Sequence, residues 1–278
     1  MGYGRTVRRP PGAWRSAAAA TIAATVLAGG CELPGFGAPD PASKQGDSIH
    51  SLWQGFFLAA MAVAALVWGL LIFVIVRYRR RRGDPDRMPD QNAYNIPVEI
   101  IYTVIPVLVV AVLFGVSVNT ERSVNHVGKD AAATVDVIGF QWSWQFHYRG
   151  EDVTITGVPG RGPQLVLPVG QPSHLRLISA DVNHSFWVPD FLSKRDLIPG
   201  VRNEIEVTPT KIGSYVGRCA EFCGLDHWQM NYSVRVVSRS DYEAWLAEAK
   251  ADQGDKAPLK VPVDDEGDTA GGTTGSGS

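Results

Sequence analysis

The chain has 278 residues, of which only 19% are charged, with a formal net charge of -2 and a mean hydropathy of -0.03. That length suits one large domain or two small ones, and the charge balance excludes both the basic footprint of a nucleic-acid binder and a disordered acidic protein. Three cysteines, Cys31, Cys219 and Cys223, are too few for a disulfide-built scaffold and lack four-cysteine zinc spacing; no Cys-x-x-Cys-His occurs, which excludes covalent haem.

Residues 1–31 join Arg5, Arg8, Arg9 and Arg15 to a small apolar run, Ala17 to Ala28, and then Gly29-Gly30-Cys31, the pattern of an export signal. Small residues before a lone cysteine resemble the bacterial lipoprotein cleavage box, with Ala28 where a leucine is usual, so Cys31 is a candidate lipidated first residue. The alternative is an uncleaved N-terminus whose cysteine is incidental. Residues 32–48, with Pro34, Gly35, Gly37, Pro39 and Pro41, read as a linker.

From Ile49 to Val76 the chain is apolar and uncharged, long enough at about 1.5 Å per residue to cross a hydrocarbon core of about 30 Å. Arg77-Tyr78-Arg79-Arg80-Arg81-Arg82 follows directly and marks the loop 77–95 as cytoplasmic by the positive-inside rule. A second apolar run, Ile96 to Val118, contains one charge, Glu99. The two spans, 49–76 and 96–118, form a transmembrane hairpin that leaves everything after Asn119 on the extracytoplasmic side of a plasma membrane. Asn95 and Pro97 mark a helix start, where Glu99 can serve as a cap, while an ionisable group in a span is also a functional candidate.

Within an extracytoplasmic domain over 119–249, residues 131–239 change to short β-rich runs broken by Gly and Pro. The runs are 134–138, 142–148, 153–156, 165–167, 174–179, 204–208, 214–217 and 232–237, a spacing that argues for an antiparallel sandwich or barrel. Ser240 and Glu243 predict a capping box for a closing helix that contains Trp245 and Leu246. Residues 250–278, with Asp264-Asp265-Glu266 and Gly/Ser/Thr repeats, are too polar to pack and read as a disordered tail.

The sharpest local signal is Cys-x-Glu-x-Cys-x3-His-x2-Met, from Cys219 through Glu221, Cys223 and His227 to Met230. Two thiols, an imidazole and a thioether form a soft donor set that favours copper over hard cations. Blue copper uses a single cysteine, whereas a second thiolate lets two sulfurs bridge two metals, provided that another histidine caps the second ion; His184, in Asp181-Val182-Asn183-His184-Ser185-Phe186, is the best candidate. Other readings stay open at this point: a small-loop disulfide, a Cys2His2 zinc site that leaves Met230 unexplained, a core role for Met230 and an ordinary structural role for His184. Phe186, Trp187, Phe222 and Trp228 are candidates to exclude water from such a centre or to fill the core.

With these motifs in place, residues 49–249 resemble subunit II of the haem-copper cytochrome c oxidases. The matching features are the hairpin, the aromatic segment Gly139-Phe140-Gln141-Trp142-Ser143-Trp144, the histidine segment, Ile198-Pro199-Gly200 and the cysteine loop. The resemblance implies a cupredoxin-like Greek-key sandwich behind a transmembrane hairpin, and a proton-pumping oxidase whose oxygen chemistry takes place in subunit I. It implies two copper ions, the copper A centre, bridged by Cys219 and Cys223 and completed by His184, His227, Met230 and the Glu221 carbonyl. The Glu221 side chain matches a magnesium site shared with subunit I, Trp142 the residue that takes electrons from cytochrome c, Asp181 a partner-docking carboxylate and Glu99 the proton-uptake glutamate. The implied partners are cytochrome c, subunit I, the other oxidase subunits and membrane lipid. Two readings compete with it. A membrane-anchored copper-delivery or thiol-redox protein using the Cys-x3-Cys pair would have one anchor and an α/β domain, and a quinol oxidase subunit II would lack the ligand loop.

Overall fold

The computed structural model describes residues 35–80, 88, 91–128, 130–252, 259 and 261. The export signal with Cys31, and most of the tail read over 250–278, lie outside the described residues.

Helix α1 spans Lys44–Arg77 and helix α2 spans Ile96–Val124. Ser43 caps α1, its Oγ accepting from Gly46 N–H at 3.0 Å, and Asn95 caps α2, its Oδ1 accepting from Val98 N–H at 3.4 Å. At a rise of about 1.5 Å per residue both exceed the roughly 30 Å of a hydrocarbon core. Each has an 18-residue apolar window of which none is buried inside the structure, as suits helices whose solvent is lipid rather than a protein core.

The linker read over 32–48 needs correction, because α1 begins at Lys44 and the residues before it are strapped to the β-domain. Ala42 N–H donates to the Asp190 carbonyl at 2.8 Å, Thr210 N–H to the Ala42 carbonyl at 2.9 Å and Lys44 N–H to the Thr208 carbonyl at 3.0 Å. Ser43 Oγ donates to the Phe191 carbonyl at 3.2 Å. The prolines and glycines stop a helix there, but they leave enough backbone donors and acceptors for the segment to pair with the domain.

Among the described residues ten strands follow: β1 Ala133–Phe140, β2 Ser143–Tyr148, β3 Val153–Thr156, β4 Gln164–Pro168, β5 Ser173–Ser179, β6 His184–Val188, β7 Ser193–Leu197, β8 Asn203–Val207, β9 Gly213–Cys219 and β10 Asn231–Val237. They form two five-stranded sheets, β3-β2-β1-β5-β8 and β4-β10-β9-β6-β7. The arrangement is a cupredoxin-like sandwich, and it is mixed rather than purely antiparallel: β1 pairs with β5, and β4 with β10, in parallel. Strands β6 and β7 were not predicted. Ser-Lys-Arg-Asp-Leu in β7 lacks apolar alternation because it is a charged edge strand, a common device against edge-to-edge pairing.

The core between the sheets is aromatic. Tyr232 stacks on Phe186 with ring centroids 5.1 Å apart and meets Trp144 edge-on at 5.0 Å. Tyr148 ties the sheets directly, its hydroxyl accepting from Val166 N–H at 2.8 Å and donating to the Val166 carbonyl at 3.1 Å. Helix α3, Arg239–Asp252, closes the domain with Trp245 against Tyr148 at 5.1 Å. Its capping residue is Ser238 rather than Ser240: Ser238 Oγ accepts from Asp241 N–H at 3.1 Å, and Glu243 instead takes a hydrogen bond from Arg239 Nε at 2.7 Å.

Candidate metal centre

Three pieces of chain converge at one end of the sandwich. Cys219 is the last residue of β9, Cys223 lies in the following loop, and His227 opens a single 3-10 turn, His227–Gln229, that delivers Met230 to the start of β10. His184 opens β6, so it belongs to a strand rather than to a connection between strands. The β6–β9 register sets Phe186 opposite Cys219; with side chains alternating along a strand, His184 and Phe186 share the inward face. The loop is fastened at both ends, by Cys219 N–H to the Met230 carbonyl at 3.1 Å and Ala220 N–H to the Ser185 carbonyl at 3.1 Å. Trp144 Nε1, from the aromatic core, donates to the Met230 carbonyl at 3.3 Å.

The donors are arranged around a pair of thiols. Cys219 and Cys223 are both free and buried, with sulfurs 3.9 Å apart, which removes the disulfide reading for this state of the chain. Cys219 Sγ lies 3.9 Å from His184 Nδ1 and 3.2 Å from the Glu221 carbonyl; Cys223 Sγ lies 3.5 Å from His227 Nδ1 and 3.6 Å from Met230 Sδ. Each sulfur therefore has one imidazole nitrogen and one weaker donor beside it. Among the described residues, His184, Cys219 and Cys223 offer donor atoms that all lie within 4.8 Å of one another.

The electrostatics fit a bound cation. Burial, with the Cys219 thiol alongside, pushes Cys223 up to about 12, which disfavours its thiolate unless positive charge lies beside it. Burial also holds His184 below its ordinary value, against the pull of Asp181, which keeps the ring neutral. Asp181 Oδ1 lies 2.8 Å from His184 Nε2; the hydrogen-bond network assigns the proton to Nε2 and leaves the Nδ1 lone pair facing Cys219. Desolvation works against the Asp181 charge, but hydrogen bonds from Gln141, His184 and Val182 outweigh it and hold the carboxyl below its usual range. The donor set of soft sulfurs and imidazoles thus fits copper, and Met230, 1% exposed beside Cys223, has a place that a four-donor zinc site does not give it.

The remaining predicted residues separate. Trp142 is partly buried and donates its indole N–H to the Cys223 carbonyl at 3.1 Å, directly against the loop. Asp181 does not stand free at the rim: Oδ1 also accepts from Val182 N–H at 2.6 Å and Oδ2 from Gln141 N–H at 2.7 Å. The Glu221 side chain is paired with Lys194 at 2.8 Å, and Lys194 with Asp196 at 2.8 Å. Glu99 sits in the first turn of α2, where its carboxylate accepts from Asn95 N–H at 2.8 Å.

Of the aromatics expected to cover the centre, Phe186 is core, whereas Phe222 and Trp228 are 81% and 75% exposed and leave the loop's outer surface apolar and open, together with Leu225 at 82%. Sequence reasoning gave no role to Gln141, Trp144 or Lys194; the position of the first two inside the aromatic segment was the available signal.

Fold and site together define a β-sandwich protein with two long apolar helices and a cluster of sulfur and imidazole donors that could hold a metal ion. Family models match at two places: cytochrome c oxidase subunit II, transmembrane domain, over residues 32–119, and cytochrome c oxidase subunit II, periplasmic domain, over residues 161–237. A probable cytochrome c oxidase subunit 2 of Streptomyces coelicolor is 38% identical over 305 aligned positions, covering 94% of each chain. Cytochrome c oxidase subunit 2 of Mycobacterium bovis is 33% identical over 285 positions, covering 81% of this chain and 78% of that one. Among solved structures, the periplasmic domain of cytochrome oxidase subunit II from Bradyrhizobium japonicum is 30% identical, covers 45% of this chain and 98% of that one, and has a TM-score of 0.43. The chain belongs to the cytochrome c oxidase subunit II family, whose members are parts of an oxidoreductase.

Proposed function

We propose that this chain takes electrons from cytochrome c at a dinuclear copper A centre and passes them to subunit I of a proton-pumping oxidase, where oxygen is reduced to water. The observation that carries the reading is the paired donor set: two buried thiols, each with an imidazole nitrogen at its side, and with Met230 Sδ and the Glu221 carbonyl as the weaker donors. The residues that would hold the copper are Cys219, Cys223, His184, His227, Met230 and Glu221. When bound, such a centre supplies a one-electron store shared between two metals.

The protein's contribution is rigidity and access. The loop, fastened to β6, β10 and the aromatic core, keeps the donors in place, so little geometry changes on electron transfer. Trp142, hydrogen-bonded to the carbonyl of a thiol donor and reaching the surface, is the side chain we assign to electron uptake from cytochrome c. Asp181 lends charge to docking while its oxygens hold Gln141 and His184. The Glu221 side chain is the group assigned to magnesium shared with subunit I, and Lys194 is its partner in the free chain. Glu99, on the cytoplasmic side set by the arginine loop, is assigned to proton uptake, and the metal centre to the extracytoplasmic side of the plasma membrane.

The alternative copper-delivery or thiol-redox reading is disfavoured by two apolar helices and an all-β domain, and the quinol-oxidase reading by the complete ligand loop. The test is a copper count with absorption and paramagnetic-resonance spectra on the full-length chain in detergent. A delocalised dinuclear copper signal is expected; a mononuclear blue-copper signal, or zinc alone, would overturn the reading.

A further inference from the structure

The corner Gln141-Trp142, between β1 and β2, touches the centre in two directions. Gln141 Nε2 donates to the Cys223 carbonyl at 2.8 Å, beside the Trp142 indole on the same oxygen at 3.1 Å. In the other direction Gln141 backbone N–H donates to Asp181 Oδ2 at 2.7 Å, and Oδ1 of that carboxylate holds His184 Nε2 at 2.8 Å. Cys223 and His184 are carried by the β9–β10 loop and by β6, both on the second sheet, whereas Gln141 follows β1 of the first. The loop lies close on the corner: Gly224 has a φ of +118°, and a Cβ there would meet both Gln141 Nε2 and the Trp142 ring at 3.2 Å.

We infer that Gln141 is a positioning residue of the metal centre: its side-chain amide fixes Cys223, and its backbone N–H fixes His184 through Asp181, so one residue at the β1–β2 corner sets the spacing of two donors carried by the second sheet. The inference rests on the copper reading proposed above and deepens it. Two N–H dipoles on the Cys223 carbonyl fix the peptide that orients the thiol, and a carboxylate held on both oxygens fixes the histidine ring. Partners that orient a ligand in this way typically change metal affinity by about 10- to 100-fold when removed.

The side-chain arm can be cut while the backbone arm is kept. Gln141→Ala removes the amide and keeps the backbone N–H, and Gln141→Glu keeps the length while replacing the donor with an oxygen that repels the Cys223 carbonyl. Both variants of the full-length chain in detergent are loaded with copper and compared with wild type. The readouts are absorption and paramagnetic-resonance spectra, reduction potential, the rate of copper loss to a chelator and the thermal midpoint of the metal-free chain. Both should show a shifted spectrum and potential and copper loss roughly tenfold faster, at an unchanged metal-free midpoint. Wild-type spectrum, potential and loss rate in Gln141→Ala would overturn the inference while leaving copper binding intact. A lowered midpoint without a spectral or potential change would equally overturn it, by making Gln141 merely structural. A wild-type chain that takes up no copper would sink the copper reading itself, and this inference with it.

Discussion

At the scale of single residues, the centre depends on how closely the backbone approaches its donors. A Cβ on Gly139 would lie 3.1 Å from the His184 ring and 3.1 Å from Leu197, both fully buried, so these neighbours would have to shift by a few tenths of an ångström within a close-packed core. Gly139→Ala should therefore cost about 1–3 kcal/mol as an overpacking change, and should perturb the copper spectrum through His184; thermal unfolding read beside the spectrum checks both, and an unaltered spectrum would show that the ring has slack. At Trp142, electron uptake and the hold on Cys223 are read by separate measurements. Trp142→Phe keeps an aromatic of similar shape but loses the N–H on the Cys223 carbonyl. It should still load copper, with a spectral shift no larger than that of Gln141→Ala because one N–H on the carbonyl remains, while reduction by cytochrome c slows about tenfold or more. Reduction at the wild-type rate in a copper-loaded variant would remove Trp142 from the path.

At the scale of elements, Glu99 carries two roles that a conservative variant distinguishes. In the structure it completes the cap of α2 by accepting from Asn95 N–H, and a glutamine at that position can still accept that bond but cannot carry a proton. Glu99→Gln in the assembled oxidase should leave assembly and the copper spectrum unchanged while slowing turnover about tenfold or more; turnover at the wild-type rate would reduce Glu99 to a cap. The sequence made some elements plain and hid others for physical reasons. The spans were legible because lipid demands a long uncharged run, and the metal loop because six donors lie on two short stretches of chain. Strand β7 was hidden because an edge strand is selected for charge, not alternation. The strap ahead of α1 was hidden because its prolines and glycines resemble those of a free linker, while its pairing with residues 190–191 and 208–210 is a tertiary property. The inward commitment of Asp181 was hidden likewise, since sequence shows a carboxylate three residues before a histidine but not which way it turns.

At the scale of the whole molecule, the strap from Ala42 to Gln45 joins the first apolar helix to the β-domain by backbone bonds at both Ala42 and Lys44, so the sandwich is tied to the hairpin close to where α1 begins. Whether electrons enter the oxidase through this chain, as proposed, is read by rapid mixing of the oxidised, assembled enzyme with reduced cytochrome c while the copper and haem absorption bands are followed separately. The copper band should bleach first and the haem band follow, and in the Cys219→Ser enzyme, where the dinuclear spectrum should be lost, haem reduction should be slowed as well. Haem reduction that precedes the copper change, or that keeps its wild-type rate in Cys219→Ser, would contradict electron entry through this chain.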